Sequence, residues 1–300
     1  MTDQTDILAQ LSGALVARAA AVEGSIATIR LLGERHLSGM FWQPDIVITS
    51  EQSLPRREEF ELILRGGSAA AARVVGRDPG TNIALLRLVP QVSPSSFPSG
   101  EVQPGMLALA FGADGEGGVT MRMGVVNLAG PEWTSVNGGR IDRRIELDMR
   151  LGRGEEGGPV LDAAGALLGM STFGPRTQVL VIPAATINRI VPALLKDGYI
   201  ARGWLGLALQ PVAVPDALHE EAGQSSGLMV MSIVEGGPAA KAGIIAGDIV
   251  LTVNGAPTRR LRRVAAQLGS DSIEHQAELR VVRGGVVLAL QATIETRPTS

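Results

Sequence analysis

The 300-residue chain contains no cysteine, only three histidines and few aromatic residues. The lack of cysteine excludes disulfides, thiol nucleophiles and cysteine-ligated metals. His36, His219 and His275 lie far apart in the sequence and lack the spacing of metal ligands. We therefore expect neither a metal site nor a cofactor.

The chain also lacks a strong charge of either sign and a long apolar run. Its 27 basic and 30 acidic residues give a net charge of −3, which does not favour nucleic acid as a partner. No apolar run reaches the ~18–20 residues of a membrane span. The start, "MTDQTDILAQLSGALVARAAAVEG", lacks the basic region of a signal peptide. These features predict a cytoplasmic protein; the alternative is a periplasmic or other extracytoplasmic protein whose leader was removed.

Glycine and proline are plentiful, and they separate short runs of Val, Ile and Leu. Apolar residues at helical spacing predict a helix from Ile7 to Val22, capped by Asp6 and ended by Gly24. This helix either packs on the body of the protein or forms an oligomer contact. From residue 24 to about 183 the runs indicate strands with frequent turns, which predicts barrels or a sandwich. Residues 184–198 predict a helix with a C-cap at Gly198.

A second unit begins near Arg202 and mixes short strands with helices. The sequence predicts a turn at Asn254-Gly255 and a hairpin that turns at Gly284-Gly285. It also predicts a helix over residues 258–268, with Thr258 as N-cap and Gly269 as terminator.

Three sequence blocks then suggest a family. They read "IVITSEQSL", "DPGTNIALLRL" and "GRGEEGGPVLD", and "GVVNLAG" and "VIPAATINRIVPALLKDGYIARGWLG" support them. Together they resemble the HtrA/DegP family of serine proteases, over about residues 24–296. The resemblance implies a mainly β fold, with a chymotrypsin/trypsin-like double β-barrel followed by a single α+β PDZ domain. It implies an N-terminal helix or oligomerisation segment at 1–23, a protease-type domain at 24–200 and a PDZ domain at 201–297.

The same resemblance places three unusual residues at the catalytic triad. Gln52 takes the histidine position, Asn82 the aspartate position and Glu156 the serine position. A neutral amide has no useful basicity near neutral pH, Asn82 cannot stabilise an imidazolium, and a carboxylate attacks amides poorly. We therefore expect no intact catalytic site, and hydrolysis by this site is not expected.

The oxyanion loop keeps part of its pattern. By resemblance its N–H groups belong to Gly154 and Glu156, while Arg153 replaces the proline of the family. Such donors favour a carboxylate. We hypothesise that the Glu156 side chain folds into its own oxyanion hole or pairs with Arg153.

The second domain retains more of the family pattern. PDZ domains bind a C-terminal carboxylate through backbone N–H groups and add the peptide as a strand. The matching loop is Trp204-Leu205-Gly206-Leu207, and the peptide would lie antiparallel to residues 207–210, against the helix 258–268. Leu205, Leu207, Val264 and Leu268 either shape a pocket for the last side chain or only fill the core. Four nearby arginines favour acidic tails or form a solvated face: Arg259, Arg260, Arg262 and Arg263.

Three functional hypotheses follow. The first is an inactive HtrA-like pseudoprotease that binds peptide C-termini or unfolded segments as a scaffold, adaptor or holdase in protein quality control. The resemblance implies that it forms homotrimers through its N-terminal region. The second is a hydrolase of the same fold with unconventional chemistry, in which Glu156 acts as a base beside Ser50, Ser53 or Ser171. The third is a regulatory subunit that assembles with an active HtrA-type protease.

Overall fold

The computed structural model describes residues 6–89, 91–92, 97–175 and 178–298. Two compact units account for the chain. The first comprises residues 1–133 and 141–199, and the second comprises residues 134–140 and 200–300. As the sequence predicts, the fold is mainly β.

The N-terminal helix α1 spans Ile7–Val22 and starts where the sequence predicts. Asp6 caps it, because its Oδ1 accepts a hydrogen bond from the Leu8 N–H at 3.0 Å. The expectation that this helix packs on the body fails over most of its length, since Val22 is its one buried residue and Ile7 is 76 % exposed. By length and composition, Ile7–Ser25 is apolar enough to cross a membrane, so the expectation of no candidate span is wrong.

The first barrel contains six antiparallel strands in the order β1-β2-β3-β6-β5-β4. Its core consists of aliphatic side chains and phenylalanines from the inward faces of the strands. β3 is buried at every residue, as expected of a run of β-branched side chains packed on both faces. The strands are β1 (Ile26–Arg30), β2 (His36–Gln43), β3 (Ile46–Ser50), β4 (Glu59–Ile63), β5 (Ala69–Asp78) and β6 (Ile83–Leu88).

A second closed barrel has the order β11-β14-β13-β12-β7-β8. A short hairpin of β9 and β10 lies between β8 and β11 in sequence. Helix α2 (Ala184–Asp197) follows the barrel and ends at Gly198 in the left-handed conformation, as predicted. The strands are β7 (Leu107–Ala113), β8 (Val119–Ala129), β9 (Trp133–Thr134), β10 (Arg140–Ile141), β11 (Ile145–Asp148), β12 (Pro159–Asp162), β13 (Leu167–Phe173) and β14 (Val179–Pro183).

The second unit is a sheet with short helices. Its main strand order is β16-β17-β18-β20-β21, with β19 paired to β18, and β15 pairs with β22. The predicted turns at Asn254-Gly255 and Gly284-Gly285 are both present. The strands are β15 (Gly203–Trp204), β16 (Leu207–Ala213), β17 (Ser226–Ile233), β18 (Ile249–Val253), β19 (Ala256–Pro257), β20 (Gln276–Arg283), β21 (Val286–Thr293) and β22 (Glu295–Thr296). The helices are α3 (His219–Ala222), α4 (Pro238–Lys241) and α5 (Leu261–Ala266).

Helix α5 is shorter than the predicted helix over 258–268, and Thr258 does not cap it. Arg260 precedes the first helical residue and makes no side-chain capping bond. The Thr258 hydroxyl is buried and instead donates to the carbonyl oxygens of Val250 and Leu251, at 2.8 and 2.9 Å. The hydroxyl satisfies backbone acceptors of a neighbouring strand, a tertiary role that local sequence does not reveal.

Candidate functional site

The first unit brings Gln52, Asn82 and Glu156 together. Gln52 lies in a 3₁₀ turn, Glu51–Ser53, directly after β3, and Asn82 lies directly before β6. Glu156 follows a second 3₁₀ turn, Arg153–Glu155. The three residues are thus carried by three different loops, and their side chains converge on Thr172 of β13.

Local hydrogen bonds fix the loop that carries Asn82. The Asp78 carboxylate accepts bonds from the Gly80 N–H at 3.0 Å and from the Thr81 hydroxyl at 2.6 Å. Asn82 itself has a φ of 60°, a left-handed conformation that asparagine tolerates better than most residues. Its Oδ1 accepts from the Gln52 N–H at 2.7 Å, so this side chain holds the neighbouring loop in place.

Arg77 holds the segment that follows Gln52. Its guanidinium donates to the carbonyl oxygens of Leu54 and Pro55, at 3.1 and 2.6 Å. It also lies 3.7 Å from the Glu51 carboxylate. Burial lowers the pKa of Arg77, and the opposing charge of Glu51 partly restores it.

The glycines after Glu156 are required by packing. Gly157 has a φ of 94°, and a Cβ there would lie 2.3 Å from the Ser38 carbonyl oxygen. A Cβ on Gly158 would lie 1.9 Å from the Phe111 carbonyl oxygen. Contacts this short admit no side chain, so the Gly-Gly pair keeps the loop against both barrels whether or not a nucleophile is present.

The Glu156 side chain is 2 % exposed and points into a cluster of donors. Oε1 accepts from Ser50 Oγ at 2.8 Å, Gln52 Nε2 at 2.7 Å and Thr172 Oγ1 at 2.8 Å. Oε2 accepts from Ser53 Oγ at 2.5 Å. A buried carboxylate is tolerated when its oxygens are hydrogen-bonded in this way.

Proton counting gives one consistent network. Each hydroxyl has a single proton, and both Ser50 and Thr172 lie closest to an acceptor at Glu156. The Thr172 oxygen then accepts from Gln52 Nε2 at 2.9 Å and from Asn82 Nδ2 at 2.7 Å. In this arrangement both amide nitrogens donate to Thr172, while Asn82 Oδ1 accepts from the Gln52 N–H. Because amides have no useful basicity, neither side chain can take a proton from a nucleophile.

The structure corrects the hypothesis about Glu156. Its carboxylate does not fold into the oxyanion loop and does not pair with Arg153; its partners lie at the end of β3, in the turn that follows β3, and on β13. Within the described residues, Arg153 has no ion pair, and it is exposed. The role of Gly154 and Glu156 as oxyanion donors stays a prediction.

Sequence reasoning missed the neighbouring Glu155, which is also buried. Its carboxylate accepts from Arg122 Nε at 2.9 Å and from the Gly152 N–H at 2.6 Å. The two adjacent glutamates therefore point to different partners, and Glu155 anchors the loop to β8. An acidic residue in the first turn of a helical segment is a sequence signal for such a cap. The signal was overlooked because sequence reasoning assigned the functional role to the adjacent Glu156.

His36 and Ser38, at the start of β2, support the other side of the loop. Ser38 Oγ donates to the Gly154 carbonyl at 2.7 Å and accepts from the Ala113 N–H at 2.7 Å. A Cβ on Gly154 would lie 2.3 Å from His36 Nε2, so a larger residue there would require the imidazole to shift. Neither residue lies in a recognisable sequence block, so sequence reasoning assigned neither of them to the site.

An open cleft of about 1080 Å³ runs past this cluster within the first unit. Gln52, Ser53 and Glu156 line it, and so do His36 and Gly154. Two of the candidate nucleophiles, Ser50 and Ser171, are fully buried. Ser53 is therefore the candidate serine that lines the cleft.

The second unit contains a separate pocket of about 210 Å³. All six predicted peptide-binding residues line it: Trp204, Leu205, Gly206, Leu207, Val264 and Leu268. Leu205 and Val264 are also part of the core of this unit, so they both fill the core and border the pocket. Further lining residues that sequence reasoning missed are Leu209, Leu261, Arg202 and Arg297, and Val136, Asn137 and Gly138 of the 134–140 segment.

Two features of this pocket suit an extended peptide. β16 is at the end of the strand order, so one of its edges is available for a further strand. Gly206 has a φ of 76°, which lets the chain turn before β16, and a Cβ there would lie 3.3 Å from the Trp204 ring. The four arginines from Arg259 to Arg263 are exposed but do not line the pocket, so their preference for acidic tails stays a prediction.

No metal centre is evident in the part of the chain that the structure describes. No group of three or more His, Asp or Glu side chains is placed there to hold an ion. The donor set around Glu156 consists of hydroxyls and amides that already bond one another, which is not the arrangement of a cation site.

Comparisons with known proteins agree with the geometry. Residues 37–170 match the trypsin-like peptidase domain and residues 203–294 match the PDZ domain. Proteins named "Probable periplasmic serine endoprotease DegP-like" are similar: that of Brucella suis is 29 % identical over 84 % of this chain and 50 % of its own, and that of Rhizobium meliloti is 29 % identical over 87 % and 53 %. The chain thus spans about half the length of these curated relatives.

Solved structures show the same fold. The HtrA-type protease AlgW with a decapeptide has a TM-score of 0.71 at 22 % identity, covering 95 % of this chain and 99 % of its own. The serine endoprotease from Yersinia pestis has a TM-score of 0.70 at 23 % identity, covering 94 % and 97 %.

These findings overturn the cytoplasmic prediction. The curated relatives are named periplasmic, and the apolar N-terminal helix passes the same length and composition test as a signal sequence. The prediction failed because it required a basic stretch ahead of the apolar run. It therefore rejected Ile7–Ser25, which by length and composition alone passes the test for a membrane-crossing helix. With both barrels, the second unit and the sequence matches in agreement, the chain has a trypsin-like peptidase domain followed by a PDZ domain, and in this it is similar to the DegP-like and HtrA-type proteases.

Proposed function

We propose that this protein is a catalytically inactive HtrA-type pseudoprotease that binds peptide C-termini and unfolded segments in the periplasm. One observation carries the proposal: Gln52, Asn82 and Glu156, which the resemblance assigns to the triad, belong to one hydrogen-bond network that runs through Thr172 and Ser50. Glu156 occupies the nucleophile position, and Gln52 donates to it at 2.7 Å. A site without a base and without a free nucleophile can accelerate amide hydrolysis by at most ~10³–10⁴-fold over water.

Binding by the PDZ domain does not depend on those residues. It requires an available strand edge, a turn that presents backbone N–H groups, and an apolar pocket. β16, Gly206 and the 210 Å³ pocket are suited to these roles. The exposed helix α1 is suited to a contact between copies, so a homotrimer is part of the proposal, and sedimentation would test it.

The activity test compares the protein with a restored triad. Unfolded labelled casein would be incubated with the protein and with its Gln52→His, Asn82→Asp, Glu156→Ser variant. We expect no cleavage by the protein. Cleavage by the variant would show that the cleft still accepts an unfolded polypeptide and that the protein lacks only the triad residues. Cleavage by the unmodified protein that is abolished by Glu156→Gln would refute the proposal.

The peptide test uses a matched pair of variants in the PDZ domain. Leu261 lines the pocket and is 43 % exposed, whereas Val286 is an exposed aliphatic residue that does not line it. Leu261→Ser should weaken binding of a peptide with a free apolar C-terminus by about 5- to 20-fold, since part of a leucine contact is lost. Val286→Ser should not. Equal binding of the free and the amidated peptide would contradict recognition of the C-terminus.

A hydrolase with unconventional chemistry is the second candidate, favoured by a single contact. Ser53 Oγ lies 2.5 Å from Glu156 Oε2, and both residues line the cleft. In that mechanism Glu156 accepts the Ser53 proton while Ser53 attacks. Turnover of activated esters that is lost in both Ser53→Ala and Glu156→Gln would favour it, and turnover unchanged in either variant would exclude it.

A third role, as a regulatory subunit of an active HtrA-type protease, needs a mixed oligomer. Co-purification with such a protease, and a change in its cleavage rate, would distinguish this role from independent binding.

A further inference from the structure

The cleft in the first unit is lined by three arginines that lack a carboxylate partner. Arg35 directly precedes β2, Arg150 follows β11, and Arg153 begins the turn that leads to Glu156. All three are exposed, and none forms an ion pair within the described residues. The charge of these guanidinium groups is therefore directed at the open space of the cleft.

Several other exposed arginines of the same unit are paired. Arg30, Arg73 and Arg87 lie 3.4, 3.0 and 3.3 Å from carboxylate oxygens of Glu61, Glu59 and Asp45. The chain as a whole is acidic, with a net charge of −3, so acidic partners are not scarce. Arg56, Arg57 and Arg143 are exposed and also lack an ion pair in the described part of the chain, but they do not line the cleft. The cleft is distinguished by three such arginines that line one open space.

The acidic residues of the cleft do not cancel this charge. Glu156 is buried, and its oxygens already accept several hydrogen bonds. Glu34 is the other carboxylate among the lining residues, so one exposed negative charge is present for three positive charges. A cleft with an excess of one charge raises the local concentration of ligands of the opposite charge.

The remaining lining favours a polypeptide. Leu31, Leu37, Leu151 and Phe173 supply apolar contacts between the charged groups. The volume of about 1080 Å³ is slightly above the ~300–1,000 Å³ typical of small-molecule pockets, and the cleft is open. A single-stranded nucleic acid would need several aromatic platforms for its bases, whereas Phe173 supplies the one phenyl ring among the described lining residues.

We propose that this cleft binds acidic polypeptide segments, with Arg35, Arg150 and Arg153 selecting for Asp and Glu side chains. This inference rests on the proposed function, in which the degenerate protease cleft holds unfolded chains, and it names the chemical class of those chains. The arginines add charge-assisted contacts and faster encounter, and the apolar residues hold the backbone between them.

The test measures binding of labelled unstructured peptides to the full chain by fluorescence polarisation. Two peptides share the same apolar residues and differ only in Asp/Glu against Asn/Gln, and both are amidated so that neither offers a free C-terminal carboxylate to the PDZ domain. We expect the acidic peptide to bind at least about tenfold more tightly at low salt. The preference should shrink as ionic strength rises and the Debye length falls.

Matched variants assign the preference to the cleft. Arg35→Gln, Arg150→Gln and Arg153→Gln together should abolish it. The control replaces Arg30, Arg73 and Arg87 by Gln, which changes the net charge equally on the same unit and should leave the preference intact. Equal losses in the two triple variants would overturn the proposal, because they would show an effect of net charge alone.

The outcomes separate this inference from the function on which it rests. If both peptides bind equally well, holding of unfolded chains survives and acidic selectivity is refuted. If neither binds, both fail. If single-stranded DNA of equal charge binds more tightly than the acidic peptide, the assignment to polypeptides is refuted.

Discussion

Thr172 is hydrogen-bonded to Gln52, Asn82 and Glu156 and so connects all three side chains. Its side chain is 2 % exposed, and its hydroxyl donates to Glu156 while it accepts from Gln52 and Asn82, at 2.8, 2.9 and 2.7 Å. Thr172→Val keeps the shape of the side chain and removes all three hydrogen bonds. It also leaves two amide donors without one of their acceptors.

The cost follows from those bonds. A hydrogen bond to a charged group contributes about 1.5–3 kcal/mol and a neutral one about 0.5–1.5 kcal/mol. The added methyl group recovers about 1 kcal/mol through burial. Gln52 retains bonds to Glu156 and to the Phe173 carbonyl, which limits the loss. We therefore expect Thr172→Val to lower the free energy of unfolding of the first unit by about 2–4 kcal/mol.

Thr28 in β1 provides a control with the same chemical change. It is 1 % exposed, and its hydroxyl has no hydrogen-bond partner among the described residues. Replacing an unpaired buried hydroxyl by a methyl group removes a desolvation cost, so Thr28→Val should leave stability unchanged or raise it by up to about 1 kcal/mol. The two variants are thus expected to differ clearly in stability, with only Thr172→Val destabilising the unit.

Urea unfolding followed by the fluorescence of Trp42 measures the first unit. Trp42 lies in β2, and the other two tryptophans, Trp133 and Trp204, would be replaced by phenylalanine in all proteins compared. If Thr172→Val unfolds within about 0.5 kcal/mol of its parent, which is the scatter of neutral substitutions, the network contributes little and the prediction is wrong. The same conclusion follows if Thr28→Val loses as much stability as Thr172→Val.

Three further predictions concern charged groups. Arg122→Ala should accelerate amide exchange in the loop around Glu155, at a cost of about 1–2 kcal/mol because Arg122 is half exposed; unchanged exchange would contradict the anchoring role. Asp248→Ala should destabilise the second unit by about 3 kcal/mol, since the Asp248 side chain is fully buried against Arg283, and calorimetry would detect it. Backbone N–H groups lower the pKa of Asp114, so its stabilising effect is present above the ordinary carboxyl pKa and is lost as pH falls through the lowered value; an NMR titration showing an ordinary pKa would refute this.

The loops that carry Asn82 and Glu156 could be recognised in the sequence, because the requirements for glycine and for turn-forming residues are local. Gly157 and Gly158 are demanded by backbone contacts shorter than any side chain allows, and the turn before Asn82 is capped by the adjacent Asp78. Such requirements leave residues at fixed spacing, which is what the three sequence blocks record. The sequence could therefore predict that Gln52, Asn82 and Glu156 lie close together, and their assignment to the triad positions stays a prediction.

The direction of the Glu156 side chain could not be predicted in this way. Its partners come from residues more than a hundred positions earlier, Ser50 and Ser53, and from Thr172 on a later strand. Sequence reasoning considered the nearest cation, Arg153, and the nearest donors, whereas the folded protein supplies better-placed donors from distant segments. The prediction that Thr258 caps helix α5 was wrong for the same reason, because its hydroxyl donates to carbonyl oxygens of β18 and not to an N–H group of the helix.

The three substitutions also depend on one another, and this yields a final prediction. Asn82 Nδ2 donates to Thr172, whose own proton is directed to Glu156. Asn82→Asp alone would replace that donor with an acceptor and add a second carboxylate beside a shared partner. It should therefore destabilise the first unit, and the loss should lessen as pH falls, because protonating one carboxyl of the pair removes the repulsion.

Adding Glu156→Ser to Asn82→Asp should restore stability, since only one carboxylate then remains and serine offers a donor. Urea unfolding of the two single variants and the double variant between about pH 5 and about pH 8 would measure this coupling. Additive effects, with no rescue in the double variant, would show that the positions are independent. A rescue would mean that the Asn82 and Glu156 positions are energetically coupled, because the single change at Asn82 meets a network built around the Glu156 carboxylate.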